Sequence, residues 1–222
     1  MSRTIRQFAT AVGIVTLLIP AFATGQTEER SRTQGLKETD KFIKAGGITA
    51  QSVADADTQV KTTLSAFNVL VAQPSGTSNM KGSYKKVLKA SDSMQAKVAD
   101  AQVKIDAMQA AGTTYFDGRA ETIKNIQDAQ LQERAQQRLE ESQKQFAAVL
   151  QQLRDAGAAL EPFRKQLADQ ITYLGSDLNP SAIASLKPEA DKLNAQGAEV
   201  FANAEKAIQQ ANAYFQGLRS QS

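Results

Sequence analysis

Any chemistry in this chain has to be sought among amines, carboxylates and amides, because it contains no His and no Cys. Those absences exclude the usual zinc sites and the Ser-His-Asp and Cys-His catalytic arrangements. Two groups of polar residues stand out. Lys81, Lys85, Lys86 and Lys89 gather four cations within nine residues at the expected start of a helix, the end where the helix dipole disfavours positive charge. On a helix Lys81, Lys85 and Lys89 share one face, with Lys86 one step round. Tyr84, Val87 and Leu88 between them are expected to turn towards the interior. Such a face suits weak, salt-sensitive contact with an anionic surface; the plainer reading is a solvated helix face. The second group is Asp169 and Gln170. Gln170 falls on an otherwise apolar seam, where a polar residue costs stability but can fix register. It is either satisfied by a water or a neighbouring backbone group, or it forms with Asp169 a polar notch for a partner.

Two further stretches imitate known sites and fail on detail. Gly76 to Ser83 has the flavour of a phosphate loop, but Lys81 precedes Gly82, so the Gly-Lys-Ser/Thr order is missing. Asp55, Asp57 and Gln59 begin like a calcium loop, yet Val60 stands at its glycine position and Ala66 at its bidentate glutamate position. No catalytic, cofactor-binding or metal-ligating residues are therefore assigned; the chain is expected not to be an enzyme and to need no cofactor.

The elements that carry these residues are read from heptads. Leu139, Phe146, Leu153, Leu160, Leu167 and Leu174 stand seven apart without a miss, followed three residues on by Ser142, Val149, Ala156, Phe163 and Gln170. This pattern belongs to a helix lying along other helices. Tyr84, Ser91, Val98, Ile105 and Gly112 form one such line in an earlier segment, with Val87, Met94, Ala101, Met108 and Tyr115 as its partner. Val53, Ala56, Val60, Leu64, Phe67 and Val71 mark the first helix, and Leu186, Leu193, Val200, Ala207 and Tyr214 the last. The partner line of the last helix (Ile183, Ala190, Gly197, Ala204, Ala211, Leu218) is mostly small, which allows close approach of a neighbour. The expected fold is all-α: an elongated antiparallel helical bundle or coiled coil of four long helices, up-down-up-down. The helices are expected over about 28–72, 80–126, 130–178 and 180–218.

Punctuation between them is uneven. Gln73 to Asn79 is the clearest loop. Ala45-Gly46-Gly47 predicts a kink or break, since each glycine weakens a helix by about 1 kcal/mol. Gly112 to Gly118 resembles a turn in composition, yet the frame resumes beyond it, favouring a continuous helix. Near 125–129 the frame slips with no Gly or Pro to mark it, and a turn is the economical solution; one helix over 80–178 would be about 150 Å long. Asn179-Pro180 gives a start signal, while Pro188 leaves open a short first turn before a main helix from about Lys187. In the third helix Pro162 is expected to bend the axis.

Residues 1–23 pair a basic start with an apolar run and Ala21-Phe22-Ala23, the order of a secretory signal, with an uncleaved anchor as the rival reading. Residues 24–35 read as polar and loose. Removal of Arg3 and Arg6 would turn 26 Lys+Arg against 23 Asp+Glu into 24 against 23. Near-neutrality argues against nucleic-acid binding. The domain organisation expected is a leader over 1–23 and one helical-bundle domain over 24–222.

The tract Leu160-Glu161-Pro162-Phe163, with Asp169-Gln170-Ile171-Thr172-Tyr173-Leu174 and then Leu178-Asn179-Pro180-Ser181-Ala182-Ile183-Ala184-Ser185-Leu186, resembles a family signature. It is similar to the C-terminal part of a bacterial helical family known as domain of unknown function 2959, in which a Glu-Pro, a downstream Asp-Gln and a Leu-Asn-x-x-Ala-Ile-x-Ser-Leu turn recur. The resemblance is sharpest over 160–186. It implies a helical, envelope-associated protein and brings no activity, substrate or cofactor. Many members begin with a lipoprotein signal; this sequence has no cysteine to accept a lipid, so it departs from them there. The functional expectation is an exported, periplasmic or secreted helical-bundle protein of the bacterial cell envelope acting as scaffold or adaptor. Its partner would be an envelope protein or a second copy of itself. The alternative is a peripheral membrane-binding or membrane-inserting helical protein.

Overall fold

A computed structural model describes residues 23–73 and 79–221, with side chains from 35 to 73 and 79 to 220. The leader expected over 1–23 lies outside these residues except for Ala23, and so do 74–78 of the first loop. The chain divides into two compact units, Met1–Gln34 and Gly35–Ser222; the second is the helical bundle. The helices are α1 (Ala23–Val71), α2 (Met80–Lys124), α3 (Ala129–Ser176), the short α4 (Pro180–Ser185) and α5 (Lys187–Gln221).

Polar contacts fix the directions. As numbers rise along α1 they fall along α2: Thr49 reaches the Lys104 carbonyl, Ser52 reaches Asp100, and Thr63 reaches the Ala90 carbonyl. In the same sense α3 runs against α2, from Arg154 on Gln109 to the Ile171 carbonyl accepting from Tyr84. α5 runs against both α3 and α1, through Tyr214 with Ser142 and Asn194 with Asn68. This is up-down-up-down packing around a shared interior.

The heptad lines face inward. Leu139, Phe146, Leu153, Leu167 and Leu174 are buried and Leu160 is partly buried. Leu150 and Ile171 are buried as well, so the stripe on α3 is wider than a strict two-position seam, as a globular bundle requires. Two core clusters result. One gathers Phe42, Tyr115, Phe116, Phe146, Tyr214 and Phe215 with their aliphatic neighbours. The other gathers Phe67, Leu70, Phe163, Leu167, Leu174 and Leu193 with theirs.

Two expectations about punctuation need correction. α1 runs unbroken through Gly46-Gly47. Gly46 faces the ring of Phe215, which occupies the space a side chain would need, whereas Gly47 has nothing near it. The pair is a seat for an aromatic ring, and tertiary packing outweighs the propensity cost. The same logic holds at Gly112, which lies against Phe146 inside a continuous α2. Residues 24–35, read as loose, are helical; Glu28, Glu29, Arg30 and Arg32 are good helix formers.

Other boundaries fall where expected. α2 ends at Lys124 and α3 begins at Ala129, with Asp128 as N-cap accepting from the Leu131 amide at 2.9 Å. Gln132 reaches back to the Ile123 carbonyl and ties the turn. Asn179 caps α4 by accepting from the Ala182 amide, Pro180 occupies its first turn, and the short helix gives way at Leu186 to α5. α3 carries Pro162 without interruption, on its exposed side.

Candidate functional site

α2 opens on Asn79, and its first turns place Ser83 and Val87 inside and Lys81, Lys85, Lys86 and Lys89 outside, all four exposed. Tyr84 is half-buried, and its hydroxyl donates to the Ile171 carbonyl at 3.1 Å, locking this turn of α2 to α3. No acidic side chain among the described residues forms an ion pair with any of the four lysines. Leu88 does not turn inward as expected: it is 38% exposed. At one helical turn from Lys85 it adds an apolar side chain to the cationic face.

Asp169 and Gln170 are adjacent in the chain but differ in surroundings. Asp169 is exposed and Gln170 half-buried. The Gln170 Oε1 atom is buried and has no hydrogen-bond partner, so neither a backbone group nor a side chain satisfies it. No ion pair joins Asp169 to another of the described residues. On geometry the notch is one unsatisfied amide, not a built site.

Sequence reasoning missed two features. The first is a polar ladder between α1 and α2. Thr49 and Thr63 are fully buried, and Ser52 nearly so. The Thr49 hydroxyl lies 2.9 Å from the carbonyl oxygens of both Ala45 and Lys104. Ser52 donates to Asp100 at 2.7 Å, and that bond holds the Asp100 carboxyl below its ordinary range. A hydrogen bond from Gln51, with Lys97 beside it, lowers Asp55 likewise. A one-residue slip would carry Ser52 away from Asp100 and leave Thr49 and Thr63 with only the Ala45 and Gln59 carbonyls of their own helix, so the ladder favours this register.

The second is a pocket of about 380 Å³, partly open to solvent, midway along the bundle and bordered by all four long helices. Val60 and Val200, of one core cluster, and Ile105 and Leu153, of the other, meet around it. Asp57 and Arg164 also line it.

The family model for proteins of unknown function, DUF2959, matches residues 29–218. The chain belongs to this family. The match covers the whole bundle, including the Glu161-Pro162, Asp169-Gln170 and Leu178–Leu186 tracts on which the resemblance rested. No curated protein and no solved structure matches the chain. No described helix is long and apolar enough to cross a membrane. Family membership assigns no activity to the lysine face, to Gln170 or to the cavity.

Proposed function

We propose that this protein is an exported, non-enzymatic helical bundle of the bacterial cell envelope, serving as a scaffold or adaptor for an envelope protein or for a second copy of itself. The observation that carries the reading is the use made of the heptads. Their side chains fill the interior of one four-helix body, and the outer faces of α2, α3 and α5 are exposed and mostly polar, with Leu88, Val103, Leu131 and Tyr173 among the exposed apolar side chains. A helical bundle of this kind can hold partners at a set spacing. Export rests on the order of residues 1–23. N-terminal sequencing of the protein recovered from the envelope fraction tests it: a start near Thr24 is expected, and an intact Met1 there contradicts cleavage.

A second reading has its own observation. The four unpaired lysines with exposed Leu88 among them suit reversible contact with anionic lipid, at about 1 kcal/mol per cation near the surface. Replacing Lys81, Lys85, Lys86 and Lys89 together by Gln should abolish co-sedimentation with phosphatidylglycerol vesicles without altering the melting temperature. About 0.5 M salt should do the same to the unmodified protein. Equal sedimentation of both forms, or of neither, leaves the scaffold reading alone.

A further inference from the structure

The outer face of α2 carries its charges in an order that is complementary to itself. Lys81, Ala99 and Asp117 stand eighteen residues apart, and so do Lys85, Val103 and Glu121. Eighteen residues make five turns of a helix, about 27 Å. Each trio therefore lies on one line along α2, and the two lines are neighbours, four residues apart. All six residues are exposed. From the start of the helix onward, both lines run cation, apolar side chain, anion.

The surroundings leave these groups available to something outside the chain. No ion pair among the described residues uses Lys81, Lys85 or Asp117. Glu121 meets only Lys124, with side chains 71% and 68% exposed, where a pair is worth little. Val103 is 61% exposed. A lone exposed valine is ordinary; the order of charge on either side of it is what selects an occupant. A second α2 laid antiparallel, with a two-fold axis between Ala99 and Val103, sets Lys81 opposite Glu121 and Lys85 opposite Asp117 at both ends. In the middle Ala99 meets Val103. The carboxylates inside the stripe, Asp92 and Asp106, fall opposite Ala110 and Ala96, so like charges do not meet. A parallel pairing would set lysine on lysine and carboxylate on carboxylate.

We propose that the outer face of α2 joins two copies of this chain in an antiparallel dimer centred on Ala99 and Val103. The contact is isologous, so assembly closes at two. This rests on the scaffold reading in taking a second copy as the partner, and it names the surface used; it does not depend on export. One helix from each copy makes a small interface of the transient kind. The dimer accordingly forms at about 100 µM and weakens as salt screens its ends.

Sedimentation equilibrium of the purified protein, from about 10 µM to about 1 mM, tests this. A monomer–dimer equilibrium is expected, roughly tenfold weaker in about 0.5 M salt. Lys81→Glu with Lys85→Glu sets acid against acid at both ends, and Asp117→Lys with Glu121→Lys sets base against base. Each double variant alone should be monomeric with an unchanged helical signal. Mixed in equal amounts, the two should form the dimer again, because each supplies the charge the other lost. Val103→Lys should prevent association by bringing two ammonium groups together near the axis. The variant at the acidic end also separates this contact from lipid binding: it adds cations, so vesicle binding would survive while the dimer is lost. A protein monomeric up to about 1 mM overturns the proposal, as do double variants that stay apart when mixed. Either outcome leaves the scaffold reading with an envelope protein as its partner, which crosslinking in the bacterium tests separately. A dimer indifferent to the charge reversals and to Val103→Lys associates through another face, and the assignment to α2 falls.

Discussion

Gly46 and Gly47 are identical in the sequence and opposite in what they meet. The ring of Phe215 lies where a Gly46 side chain would go, and it belongs to an aromatic cluster with Phe42 at 5.1 Å between centroids. Gly47→Ala should therefore raise stability by about 0.5–1 kcal/mol through helix propensity. Gly46→Ala should lower it by about 1–3 kcal/mol, because the packed ring must move. Denaturant unfolding of the two variants compares them directly; equal shifts would mean Phe215 does not sit there. Nothing local distinguishes the two glycines, and so the sequence reads as a break. The deciding partner lies at the far end of the chain. Tyr214 in the same cluster gives a pH prediction. Burial pushes its phenol up to about 12, against an ordinary value near 10, although the hydrogen bond with Ser142 at 3.0 Å works the other way. The folded state thus favours the neutral phenol. Stability from this group is complete below pH 10 and is lost as pH rises from 10 to about 12. The urea midpoint should fall more steeply over that range in the natural protein than in Tyr214→Phe, and parallel profiles would contradict the burial.

At the scale of the helix, legibility followed length. α3 announces itself through six seven-step residues, and its start at Ala129 was foreshadowed by a slip of frame alone, with Asp128 supplying the cap. The seam makes a graded prediction. Leu153 is 2% exposed, while Leu160 borders the central cavity and is only partly buried. Leu153→Ala should cost about 2–5 kcal/mol. Leu160→Ala should cost measurably less, since one side of Leu160 already lacks neighbours to lose. Thermal unfolding of the pair checks this, and the reverse order would place the cavity elsewhere. The threonine ladder between α1 and α2 was not legible. A Thr in a helix reads as weakly unfavourable, and only the carbonyls of Lys104 and Ala90 arriving opposite turn Thr49 and Thr63 into register pins.

For the whole molecule, heptad spacing predicts helices and their inward faces, because a side chain's face depends on its neighbours three and four positions away. It does not predict what fills the centre. Ala56, Ala101, Ala156 and Ala204 each look like ordinary small seam residues, and only their arrival at one level leaves a space between two cores. Asp57 looked like part of a failed calcium loop, yet folding buries an unpaired atom of it, as it does of Arg164. The lysine face was legible as a cluster, but the outward turn of Leu88 was not. None of these features names a partner, and the scaffold proposal is best tested where the protein acts. The most direct measurement treats the producing bacterium, its outer membrane permeabilised, with a lysine-reactive crosslinker that cannot pass the inner membrane. The exposed lysines, Lys81, Lys85, Lys86 and Lys89 among them, should then appear in a discrete adduct with an envelope protein or with a second copy of the chain. A protein that stays unreacted until the inner membrane is lysed would contradict export, and one that reacts fully yet gives only single-chain products would contradict the scaffold.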